Sequence, residues 1–96
     1  MGRDDVLALL RDYKKKYAAK YGIIEIGVFG SSARNEATDD SDVDICVKTA
    51  TPDAFALAHI RTDIEELVGK RVDIVRVRER MNPHLRKRIE KDGVYV

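Results

Sequence analysis

This chain of 96 residues has one cysteine and two prolines, and no apolar run approaches the ~18 residues that a membrane-spanning helix needs. A lone cysteine excludes an intramolecular disulfide and supplies no zinc-ligand spacing, which suits a reducing cytoplasm. The opening stretch, MGRDDVLALL, lacks the apolar core of a signal peptide. Net charge is nearly absent: 18 Lys and Arg against 17 Asp and Glu leave +1. The molecule as a whole therefore offers no pull towards nucleic acid or membrane, and no direct nucleic-acid binding is expected. Repeats, low-complexity tracts and linkers are missing. The length suits a single small domain over residues 1–96, with one core and no second lobe. What is present is an ordinary apolar fraction, 44%, beside a high charged fraction, 36%. The charge is unevenly placed. Acid gathers at Asp39, Asp40, Asp42 and Asp44, and base between Arg76 and Lys91.

Apolar periodicity predicts the order of elements. Val6, Leu10, Tyr13 and Tyr17 fall at i, i+4, i+7 and i+11, an amphipathic helix from Asp4 to about Lys20, with Gly22 as its stop. Ile23 to Phe29 reads as a strand with Ile24, Ile26 and Val28 on one face. Gly27 and Gly30 thin the backbone near its end, as a closely approaching ligand would require. A short helix from Ser31 to about Ala37 and a polar turn at Thr38–Ser41 follow. The second strand buries Val43, Ile45 and Val47 and leaves Asp42, Asp44, Cys46 and Lys48 opposite. Thr51 as N-cap and Pro52 at the first helical position open a helix to about Val68, with Leu57, Ile60, Ile64, Leu67 and Val68 inward. Arg71 to Val77 is a third strand, with Val72 and Ile74 on one side and Asp73 and Val75 on the other. Asn82-Pro83 starts a last helix to about Lys91, and Val94–Val96 forms a short end. The result is an α/β domain of order αβαβαβα. The link between the first two strands, roughly 13 residues, is near the lower limit for a parallel crossover, so parallel and mixed sheets both fit.

The chemistry concentrates between Val28 and Val47. Gly30-Ser31 ends a strand and opens a helix, where free backbone N–H groups can cradle phosphate oxygens. Asp42 and Asp44 lie two apart on a strand, so both carboxylates leave one face. Should the second and third strands be neighbours, Asp73 joins them. Three such acids are costly together unless cations bind, and hard oxygen ligands suit Mg²⁺, two ions or one, or Mn²⁺. Each piece alone has a plainer explanation: solvated acids on a strand, or a serine N-cap. Arg34 lies within reach of a triphosphate, or equally of Glu36 or Asp39 as an ion pair. The basic residues Arg76, Arg78, Arg80, Arg86, Lys87, Arg88 and Lys91 fit a solvated face, a grip on phosphates or an acidic partner. His59 and His84 read as surface residues, and Cys46 as a packing residue without a base to activate it.

As a set, GSSARNEATDDSDVDI resembles the G-S-x-A-R…S-D-x-D signature of the minimal nucleotidyltransferases of the DNA polymerase beta superfamily. RVDIV resembles that family's third-carboxylate strand, and the resemblance covers almost the whole chain. It implies a mixed sheet with helices mainly on one face and the carboxylates at the sheet's exposed end. It implies that Gly30 and Ser31 hold the phosphates of a nucleotide, with Arg34 as a further nucleotide-binding candidate. Asp42 and Asp44 would bind both metal ions, and Asp73 would bind the catalytic ion and help deprotonate an acceptor hydroxyl. Asn35 stands where many relatives have Gly, a mild departure because Asn tolerates the left-handed region. Within the family, proteins this short resemble antitoxins paired with a helical HEPN-type ribonuclease toxin. The implied activity is transfer of AMP from ATP to a toxin tyrosine. Length points the same way, since a chain this short has no acceptor-binding lobe and needs a partner or a second subunit. Two other readings fit: a non-catalytic module that covers its partner, using the basic C-terminal region and the stripe of Tyr13, Tyr17 and Tyr21 on the first helix, and a small-molecule nucleotidyltransferase working as an oligomer.

Overall fold

The computed structural model describes residues 2–38 and 40–96; Met1 and Asp39 lie outside the described residues. The elements are α1 (Arg3–Tyr21), β1 (Ile23–Val28), α2 (Gly30–Ala33), β2 (Val43–Thr49), α3 (Ala54–Val68), β3 (Val72–Arg76), α4 (Pro83–Asp92) and β4 (Val94–Tyr95). The sheet has strand order β3-β2-β1-β4. β1 runs antiparallel to both β2 and β4, whereas β2 and β3 run parallel. The sheet is therefore mixed. The short β1–β2 link needs no crossover, and α3 supplies the one that parallel β2 and β3 require. The expected short end is a two-residue edge strand, β4, which extends the order by one element.

Each face of the sheet has its own apolar cluster. On one face Val6, Leu10 and Tyr13 of α1 and Ile60, Ile64 and Val68 of α3 pack on Ile26, Val28, Ile45, Val47 and Val72. On the other, Ile89 of α4 covers Phe29 and Cys46. The two long helices share one face, and only α4 crosses the other. Tyr13 is buried and donates its hydroxyl to Asp63 at 2.7 Å, so the head of the tyrosine stripe belongs to the core. Tyr21, at the stripe's far end, stacks on His59. Among the described residues no helix is long and apolar enough to cross a membrane.

Several local expectations are corrected. Ile24 is 56% exposed, because the β1–β2 register shifts between Ile23 and Glu25. One extra residue there turns Ile23 inward in its place. α2 stops at Ala33 rather than Ala37: Arg34 N–H closes back on Gly30 O, and Asn35 follows at φ 59. The left-handed Asn35 then accepts a hydrogen bond from Arg3 N–H, which ties this turn to the start of α1. α3 is capped by Asp53, not Thr51, since the Asp53 carboxylate accepts from Phe55 and Ala56 N–H. Pro52 therefore precedes the cap. The inward stripe of α3 is Ala56, Ile60, Ile64 and Val68 at strict i+4 spacing, which leaves Leu67 46% exposed and Leu57 only partly covered. The Asn82 cap with Pro83 at the helix start is as expected. A Cβ on Gly27 would overlap Val94 O and Tyr95 Cα. That glycine makes room for β4 and not, as expected, for a ligand.

Truncating the fully buried Ile60 to Ala is expected to cost about 3 kcal/mol in urea unfolding. Removing the 82% exposed Phe55 side chain is expected to change stability by less than about 0.5 kcal/mol.

Candidate active site

The site is built where β1 ends against β2. The chain leaves the sheet at Phe29 and turns at Gly30, whose φ of 61° is left-handed backbone that glycine adopts without steric penalty. Space is restricted there as well. A Cβ on Gly30 would lie 2.8 Å from Asp44 Oδ2 and 3.1 Å from an Arg88 guanidinium nitrogen. The turn is tied to β2 through both backbone groups of Asp44. Phe29 N–H donates to Asp44 O at 3.1 Å, and Asp44 N–H donates to Ser32 Oγ at 3.2 Å. Ser32 is buried, and sequence reasoning passed over it in favour of Ser31. Its signal was the second Ser of G-S-S, a small hydroxyl placed to satisfy a backbone donor.

Asp44 and Asp73 are register partners across the parallel β2–β3 pair, so their side chains leave the sheet on one face. Asp42 lies just before β2 and lines, with Asp73, Arg61 and Arg71, an open hollow of about 200 Å³ at the β3 edge. Burial of Asp44 raises its carboxyl above the ordinary range, and the carboxylates of Asp73 and Asp42 push it further up. Arg88 and Arg34 pull it partly back. The three acids thus share one electrostatic neighbourhood, as expected. They do not form a finished cage: among the described residues no three His, Cys, Asp or Glu side chains close round a common point.

That arrangement fits a hard divalent cation. Among the described residues, Arg34 pairs with Asp92 and Glu36, Lys48 with Glu25 and Arg86 with Glu90, but none of the three acids has an ion-pair partner. Carboxylate oxygens that no ion pair engages are the donors that Mg²⁺ or Mn²⁺ takes. Arg34 is placed beside the turn, but its guanidinium is bound to Asp92 at 2.6 Å and to Glu36 at 3.0 Å. Arg88 was one of seven basic candidates, and only the folding of α4 back over Phe29 singles it out. Its guanidinium lies 5.6 Å from the Phe29 ring centroid. Cys46 is fully buried under α4, and burial pushes its thiol up to about 11, which suits packing rather than nucleophilic work. Exposed His84 leaves its side chain outside the α4 cap, where only its backbone N–H bonds Asn82.

The raised Asp44 carboxyl has a consequence for stability. A folded-state value above the unfolded one means that ionisation opposes folding. The contribution is fully present below about pH 4 and is lost as pH rises through the raised folded value. Asp44→Asn is therefore expected to melt at a higher temperature than the wild type at pH 7.5 without divalent cation. The two melting curves should converge near pH 3, as thermal unfolding across that range would show.

Comparison with known proteins agrees with this geometry. The nucleotidyltransferase domain family matches residues 10–96. A candidate protein adenylyltransferase of Methanocaldococcus jannaschii, MJ0128, is 39% identical over 93 residues, 96% of this chain and 95% of the relative. The protein adenylyltransferase MntA of Thermococcus cleftensis is 35% identical over 94 residues, 97% of this chain and 94% of the relative. Among solved structures, a candidate minimal nucleotidyltransferase superposes with a TM-score of 0.76 at 33% identity, covering 98% of this chain and 95% of that one. A complex of tri-AMPylated Shewanella oneidensis HEPN toxin with MNT antitoxin shares the fold, with a TM-score of 0.64 at 22% identity over 93% of this chain and 70% of the matched chain. With its glycine-serine turn tied to β2 and with Asp44 and Asp73 level on β2 and β3, this chain belongs to the nucleotidyltransferase domain family.

Proposed function

We propose that this chain is an antitoxin that transfers AMP from ATP, with a divalent cation, to a tyrosine hydroxyl of a HEPN-type partner. The observation that carries the reading is the parallel β2–β3 register, which sets Asp73 level with Asp44 beside the Gly30–Ser31 turn. Two relatives named or proposed as protein adenylyltransferases support the reaction type. The partner is supported by relationship to MntA and by a fold shared with a HEPN–MNT complex.

In this reading Asp42, Asp44 and Asp73 hold the divalent cation. The ion supplies Lewis-acid polarisation of phosphoryl oxygens and neutralises charge on the leaving group. Backbone N–H groups of Gly30 and Ser31 donate to phosphate oxygens and orient the triphosphate. The acceptor oxygen attacks the α-phosphorus, the bond from that phosphorus to the bridging oxygen breaks, and pyrophosphate leaves with the electron pair. Asp73, exposed at the β3 edge of the sheet, accepts the hydroxyl proton. The acceptor comes from outside the chain, and the open side of the acid shelf leaves room for it. Tyr13, held in the core by Asp63, takes no part in that encounter.

The test is incubation with ATP labelled at the α-phosphate, Mg²⁺ and the product of the neighbouring gene. Label is expected on a tyrosine of that product, located by mass spectrometry. Metal-ion catalysis supplies several kcal/mol, so Asp42→Ala with Asp44→Ala is expected to lower labelling by about 1,000-fold or more. Equal labelling by the double variant would sink the assignment.

A further inference from the structure

Three of the seven basic residues near the C-terminus are already engaged. Arg76 donates to Thr49 Oγ1, Arg78 to the Arg80 carbonyl, and Arg86 to Glu90 and the Glu79 carbonyl. Arg88 differs from these three: among the described residues its side chain has neither hydrogen bond nor ion pair, and α4 carries it directly to the acid site. Its guanidinium rests over the Phe29 ring, and a Cβ on Gly30 would lie close to both it and Asp44 Oδ2. The helix that presents it is fixed at three places. Asn82 caps its start, Ile89 is buried against Phe29 and Cys46, and Asp92 near its end binds Arg34 at the α2 turn.

We propose that Arg88 is a phosphate-binding residue of this site, gripping the phosphate chain of a nucleoside triphosphate laid along the Gly30–Ser31 turn. The inference deepens the proposed function and rests on it. A guanidinium is a planar fork that matches two phosphate oxygens at once. Held over Phe29 and without a hydrogen bond of its own among the described residues, it has N–H donors available for such an acceptor. Arg34, which the sequence places within reach of a triphosphate or of an ion pair, is engaged by Asp92 and Glu36. It acts instead through α4, holding the helix that delivers Arg88. The competing explanation is that Arg88 merely offsets the crowded charge of Asp44, Asp73 and Asp42.

Calorimetric binding of α,β-methylene-ATP with Mg²⁺, and of Mn²⁺ without nucleotide, separates the two. The proteins compared are the wild type, Arg88→Gln, Arg88→Lys and Lys15→Gln, the last matching the charge change on α1. Arg88→Gln is expected to melt with the wild type but to bind the analogue at least about tenfold more weakly, about 1.4 kcal/mol. Arg88→Lys should recover only part of that loss, and Lys15→Gln should bind as the wild type does. Mn²⁺ affinity should hold or rise in Arg88→Gln, since a competing positive charge is gone. Analogue affinity in Arg88→Gln equal to that of Lys15→Gln would overturn the inference, as would an effect confined to Mn²⁺. A wild type that does not bind the analogue would overturn the proposed function and this inference with it.

Discussion

Along β2 and β3, Val43 faces Val72 and Asp44 faces Asp73, with no slip up to Val47 and Arg76. The same register satisfies two demands that oppose each other. On one face it aligns the apolar side chains Val43, Ile45 and Val72 with α3, whose burial holds the strands together. On the other it forces two carboxylates to neighbouring positions, which raises the energy of both when ionised. Because side chains alternate along a strand, neither demand can be relaxed without the other: a one-residue slip would separate the acids but turn the core outward. The core therefore enforces the charge crowding, and the site inherits its geometry from packing.

The turn side of the site follows a different logic. Asp44 is held through its backbone, by Phe29 N–H and Ser32 Oγ, while its side chain is left to face the acids and Arg88. A carboxylate fixed this way can keep its position whatever its charge state, since no hydrogen bond that places it depends on ionisation. Arg34 and Arg88 divide their work along similar lines. One is spent on an ion pair that fastens α4 to α2; the other stays beside the turn.

Much of this was legible from residues alone, for reasons that differ by element. The alternation Val43, Ile45, Val47 marks its strand because one face is buried and the other polar. The triad Asp42, Asp44, Asp73 could be named from spacing and the family signature. What stayed hidden were features with no periodic trace. The extra residue at Ile24 changes which isoleucine points inward without altering composition. Two acceptable caps, Thr51 and Asp53, stand two residues apart, and only the folded chain shows Asp53 accepting from Phe55 and Ala56. The end of α2 depends on Asn35 meeting Arg3, a contact across 32 positions. Arg88 could not be distinguished from Lys87 or Lys91 until α4 was seen to cross the Phe29 face.

The crossover through α3 also imposes an order in time. β1, the Gly30 turn and β2 form a local antiparallel unit that closes a short loop, whereas β3 joins only after a helix has folded and docked. A chain that has formed just the first unit owns the Gly30 turn and two acids but not the third. In that order the third acid joins the other two only when β3 pairs with β2. A half-formed molecule therefore holds the turn and two of the three carboxylates, and stays one carboxylate short of the site proposed above.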